Sequence, residues 1–191
     1  MNYGDYQKTR DLAWQVLRRE KIRALPVDVV EICRRLEIKV LENAELDPKV
    51  GDGFSCILGG VPYVFIRPGQ SRQRLRFTVA HELGHILLGH VGKYQLVNRE
   101  PSPYDDPVEQ AANIFAARLL APVCVLWGCR VSSAAEIAAL CDISPTAAGI
   151  RWERMQILME RDKFLTSPME RQVYRQFKGY IKRYLESKKR G

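Results

Sequence analysis

The segment Arg74–His90 reads RLRFTVAHELGHILLGH, and its interpretation governs that of the whole chain. Apolar residues fall nearly all round it at helical spacing, the pattern of a helix buried inside a domain. Yet it holds all three histidines of the 191-residue sequence, together with Glu82. On a helix, His81 and His85 stand one turn apart on one face, where they can grip a single ion. Glu82 projects to the neighbouring face, within reach of a water at an open coordination position. The order H-E-x-x-H thus supplies two metal ligands and a general base, the residue types of a hydrolytic zinc site. A solvated surface helix is the alternative, but flanks this apolar would bury unpaired histidines and a glutamate at high cost. Gly84, between the histidines, weakens a helix by about 1 kcal/mol relative to Ala, which predicts close packing of another element there.

Two histidines leave the coordination sphere short of a third protein ligand. His90 follows His85 by five residues, whereas the three-histidine pattern would need a histidine at Val91, so His90 is not expected to bind. The segment 105–122, DDPVEQAANIFAARLLAP, offers Glu109. Asp106 suits an N-cap and Pro107 the first helical turn, which puts Glu109 third in the helix. Asp106-x-x-Glu109 also reads as a capping box, and spacing alone leaves ligand and cap evenly matched. Asn113 lies one turn beyond Glu109, where it can accept from the second N–H of a ligand histidine.

Around this centre, residues 2–21 read as a first helix. Residues 25–37 (LPVDVVEICRRLE) read as a second, with Pro26 in its first turn. IKVLENA, GFSCILG and VPYVFIRP are short and rich in β-branched and aromatic residues, with a hairpin signal at Gly59-Gly60. From Ser71 onward the chain is helical almost throughout. The expected fold class is α+β: a small antiparallel sheet and a helix bearing the motif, then a helical extension. The expected division is a domain over 1–130 and an extension over 131–191.

Composition narrows the setting. Five cysteines, none in C-x-x-C spacing, argue for free thiols in a reducing compartment and against a disulfide framework. The start lacks the apolar core of a signal peptide, and LLAPVCVLW is too short to span a bilayer and contains Pro122. A cytoplasmic protein with no membrane partner is expected. The net charge is +8, and residues 160–191, with ten Lys/Arg against four Asp/Glu, carry +6 of it. Such an end makes DNA a possible partner, while a solvated helix face is the plainer reading.

RFTVAHELGHILLGH followed by EQAANIFAARLLAP resembles the ImmA/IrrE family of metallopeptidases, whose pattern is an H-E-L-G-H helix and then E-x-x-A-N/D-x-F-A-x-x-L-L-x-P. PVDVVEICRRLEIKV and GFSCILGGVPYVFI match its style as well, so the resemblance covers roughly residues 25–122. It implies a zincin-like core, Zn2+ on His81, His85 and Glu109, and Glu82 as catalytic base. It further implies a protein substrate, a helix-turn-helix transcriptional repressor of phage or stress-response type. A non-catalytic regulator, or one half of a toxin–antitoxin-like pair using the same fold, is the alternative. No residue identifies itself as the oxyanion stabiliser; Tyr63, Tyr94, Tyr104 and Arg118 are candidates.

Beyond this stretch, residues 133–155 carry a capping box, Ser133-x-x-Glu136, a break at Asp142 and a second start at Ser144-Pro145. Two short helices so spaced resemble a helix-turn-helix. Asp142 stands where glycine is usual, which favours packing over DNA reading. The last helix should begin at Ser167 and dock by Val173, Phe177, Tyr180 and Tyr184.

Overall fold

The structure is a computed structural model that describes residues 3–46, 51–91 and 106–190. Tyr94 and Tyr104 therefore lie outside the described residues. The chain divides into two compact units, Met1–Arg10 with Asp28–Ala116, and Asp11–Val27 with Ala117–Gly191. Among the described residues are eight helices and three strands, the mixed α+β class expected.

The first unit holds the start of α1 (Tyr3–Arg19), α2 (Val29–Arg35), the sheet, α3 (Arg72–Leu87) and most of α4 (Pro107–Leu120). α2 begins three residues after Pro26, because the Asp28 carboxylate caps the helix by accepting from the Glu31 backbone N–H at 3.0 Å. Pro26 thus precedes the helix and does not sit in its first turn. β2 (Gly53–Leu58) and β3 (Val61–Ile66) form the expected hairpin, with Gly59 and Gly60 both at positive φ as a tight two-residue turn requires. β1 (Lys39–Glu42) joins the far side of β3 in parallel. The sheet is therefore mixed, in the order β1-β3-β2, and the antiparallel expectation holds only for the hairpin. The apolar run VPYVFI explains the order: it takes the centre, where Val64 and Ile66 are buried.

One face of the sheet packs on α3. Gly53 shows how closely: a Cβ there would come within 2.7 Å of the Phe65 carbonyl oxygen and of Thr78 Cγ2. α3 is capped by Ser71, and from Arg76 to His85 it is buried at every position except Phe77 and His81. The opposite sheet face carries a stacked row of Phe54, Phe65 and Tyr63.

The second unit contains the rest of α1, the end of α4, and α5 (Val123–Gly128), α6 (Ala134–Cys141), α7 (Pro145–Glu160) and α8 (Pro168–Lys188). α6 and α7 are the expected helix pair, with Asp142 in the left-handed region between them and Ser144 capping the second. Arg151 on α7 is buried and donates to the carbonyls of Ala117 and Ala121 at the end of α4; that of Ala117 also accepts from the Ala121 N–H. α8 docks by Val173, Phe177 and Ile181, with Tyr180 and Tyr184 half-buried beside them. At Gly128 of α5 a Cβ would fall 2.7 Å from Tyr174 and 2.8 Å from Ile181, so only glycine admits this approach of α8. Residues Pro107–Gly128 are long and apolar enough to cross a membrane, but 78% of their apolar 18-residue window is buried in protein. Burial accounts for the composition without a bilayer.

Glu136 ties α6 to α8. Its carboxylate accepts from Tyr184 Oη at 2.6 Å, Lys188 Nζ at 2.6 Å and the Ser132 backbone N–H at 2.7 Å. Burial alone would raise its pKa, but the bonds from Lys188, Tyr184 and Ser132 prevail and hold it at about 2. A carboxyl depressed in the folded state stabilises above its unfolded pKa and loses that contribution as pH falls through the folded value. Glu136→Gln should therefore lower the melting temperature at neutral pH. The gap to wild type should close between about pH 4.5 and 2. Melting curves across that range test it, and a gap independent of pH would contradict the assignment.

Candidate metal centre

α3 and α4 meet at Gly84. A Cβ on Gly84 would lie 3.0 Å from Phe115 Cδ1 and 3.3 Å from Phe115 Cβ, so glycine permits the close packing that the sequence led one to expect. This approach sets the first turn of α4 beside the histidine face of α3. Glu109 Oε2 lies 3.2 Å from His81 Nε2, and Oε1 lies 3.4 Å from His85 Nε2. The two Nε2 atoms are 3.0 Å apart. All three candidate ligands come together, and their donor atoms fall within 4.8 Å of one another. Asp106 caps α4 by accepting from the Val108 N–H at 2.8 Å, while the Glu109 carboxylate faces the histidines.

These distances suit a metal. Ligand atoms at about 2.0–2.1 Å around a tetrahedral ion stand roughly 3.3 Å from each other, close to the three separations observed. The tautomers agree. His81 Nδ1 lies 3.0 Å from Asn113 Oδ1, an acceptor, so Nδ1 carries the proton and Nε2 presents its lone pair. His85 Nδ1 lies 3.0 Å from His90 Nδ1. Burial, and next the neighbouring His85, push His90 down to about 4 against the pull of Glu109 and Asp106, so His90 is neutral at pH 7. In the tautomer where His85 donates to His90, both Nε2 lone pairs point at one spot, an arrangement that a cation satisfies. The side chain of His85 is 1% exposed, that of His81 14% and that of Glu109 24%. The cluster is sealed on the His85 side and opens to solvent past the other two.

The position of His90 follows from how α3 ends. The Gly89 N–H donates to Ile86 O and the His90 N–H to His85 O, with Gly89 at φ +71°. This paired closure with glycine in the left-handed region folds the chain back on the last turn. It returns His90 to the ring of His85, as a partner of that side chain and outside the three-residue cluster. The spacing argument discounted His90 as a ligand and overlooked this contact. Gly89 followed by His90, directly after a helix, was the available signal.

Glu82 is 2% exposed, lies outside the ligand cluster and accepts from Ser55 Oγ at 2.7 Å. Ser55 was not singled out from sequence, although it is the polar residue on the inward face of β2. Two candidates for oxyanion stabilisation fall elsewhere. Tyr63 adjoins Val64, the register partner of Ser55, and so points to the other sheet face, where its hydroxyl accepts from Lys39 at 3.3 Å. Arg118 follows Glu109 by nine residues, about half a turn away around α4.

A sheet-backed helix carrying H-E-x-x-H, crossed by a helix that offers a glutamate, defines a zincin-like, metallopeptidase-type domain. Residues 33–153 match the family Peptidase_M78, described as the IrrE N-terminal-like domain, and the chain belongs to that family. No curated protein matches the chain.

Removing Glu109 should abolish metal binding, since it deletes a ligand. His90→Ala should keep a full equivalent of metal at saturation but weaken affinity by about 10–100-fold, as loss of a partner to a ligand histidine does. Competition titrations with a chromogenic chelator measure both. Tight binding by Glu109→Ala alongside none by His90→Ala would reverse the two roles.

Proposed function

We propose that this protein is a zinc-dependent endopeptidase that cleaves a regulatory protein, a helix-turn-helix transcriptional repressor being the substrate the family resemblance suggests. The convergence of His81, His85 and Glu109 carries the reading. A nitrogen, nitrogen, oxygen donor set with one side open is what catalytic zinc takes, and zinc there would acidify a water and polarise a peptide carbonyl. Glu82 would accept the proton of the attacking water and deliver it to the departing amine. Ser55 would hold the Glu82 carboxylate in place for both transfers, and Asn113 would fix the tautomer of His81.

The sheet supports cleavage within a chain. Among the described residues β2 is an edge strand, and Ser55, near its middle, touches Glu82. An extended peptide added along that edge would run past the general base with chain continuing on both sides. Five free cysteines, four of them buried, suit the reducing cytoplasm where a transcriptional regulator would be met.

Glu82→Gln should leave zinc content unchanged and lower cleavage of the cognate repressor by about 10²-fold or more. Ser55→Ala should lower turnover less, because it removes the donor that holds the base in place. The assay compares these proteins at matched zinc occupancy. Equal cleavage by wild type and Glu82→Gln would contradict the mechanism. Binding of the repressor with no cleavage by either would favour a non-catalytic regulator.

A further inference from the structure

On α8, Gln172, Arg175, Gln176, Gly179 and Arg183 recur at three- and four-residue steps and so share one stripe of the helix. They line a cleft of about 680 Å³ together with Arg18 from the last turn of α1 and Arg23 just beyond it. Gln176 fixes the shape: its amide nitrogen donates to the carbonyls of Leu17 at 2.7 Å and Ile22 at 2.6 Å, tying the end of α1 to α8.

Two features distinguish this cleft within the basic surface, where all four of its arginines are exposed. Its four arginines form no ion pair among the described residues, and no carboxylate lines it, whereas Lys182 and Lys188 on the same helix each have a glutamate partner. Gly179 sits in the interior of a 21-residue helix, where almost any other residue is a better helix former. A Cβ there would meet only Arg183 Nη1, at 3.6 Å, so packing does not demand the glycine; its effect is to keep the cleft clear.

We propose that this cleft binds a nucleoside diphosphate or a related phosphorylated small molecule by its phosphates, held by Arg18, Arg23, Arg175 and Arg183. Guanidinium groups match phosphate oxygens in charge and fork geometry, and the open cleft admits them. Ligand bridging α1 and α8 would also stabilise the unit that contains both. The site is separate from the metal centre, and the proposal stands whether or not the peptidase reading does.

Calorimetric titration of the full-length, zinc-loaded protein with ADP, inorganic pyrophosphate and a short DNA duplex of arbitrary sequence tests the proposal. ADP should bind one-to-one and saturably. Arg175→Ala/Arg183→Ala should weaken it by about 10-fold or more, the scale of losing charge-assisted phosphate contacts. That variant keeps the metal site, so chelation of zinc by ADP would appear equally in both proteins. Gly179→Leu, at an exposed helical position, should retain or raise the melting temperature while weakening ADP by a similar factor. Absence of ADP and pyrophosphate binding up to millimolar concentration would overturn the proposal. So would undiminished ADP binding by Gly179→Leu, or DNA that displaces ADP and is indifferent to that substitution, since either would mark a general basic surface.

Discussion

The candidate site depends on one contact, that of Gly84 against Phe115. α3 carries two histidines and α4 a glutamate, and nothing in either helix alone brings the third donor within reach of the other two. The missing Cβ at Gly84 admits the Phe115 ring to about van der Waals distance of the helix backbone. With α4 held there, Glu109 reaches both Nε2 atoms and Asn113, one turn on, meets the Nδ1 of His81. A methyl at position 84 would press on Phe115 and displace the carboxylate by tenths of an ångström. That is a small shift for a core, but it uses up much of the tolerance of a site whose ligands must hold their geometry to about half an ångström.

Much of this was legible in the sequence because it is local. The one-turn spacing of His81 and His85, the apolar surround and the glycine between them each follow from helix geometry. The Asp106-Pro107 start fixed where α4 begins, and with it the phase that sets Glu109 and Asn113 on one face. What could not be read depends on tertiary neighbours or on fine backbone geometry. Ser55 comes from a strand some thirty residues earlier, and only the sheet's docking on α3 reveals that it touches Glu82. The side of β3 that β1 takes, and its parallel direction, are set by which strand is most apolar and so central. His90 meets His85 through a left-handed glycine turn, a feature that ligand-spacing rules do not consider.

The buried polar groups sort by what satisfies them. Arg151 meets carbonyls at the end of α4, and charge-assisted bonds of this kind each contribute about 1.5–3 kcal/mol. Glu136 meets a lysine, a tyrosine and a backbone N–H. In the metal centre the arrangement differs: a glutamate oxygen and two imidazole nitrogens face each other, and every outer atom of the rings is already engaged by Asn113 or His90. The inner atoms are left to share a single point. Arg151 and Glu136 are met by groups of the opposite kind, whereas these three donors converge, an arrangement that could hold a metal ion.

X-ray absorption spectroscopy of the zinc-loaded protein addresses that convergence most directly. The account predicts a first shell of nitrogen and oxygen only, at about 2.0–2.1 Å, with outer-shell scattering from two imidazoles. Scattering from three imidazoles would place His90 on the metal. A sulfur shell at about 2.3 Å would place a cysteine there. Either result would contradict the assignment of His81, His85 and Glu109 as the ligands.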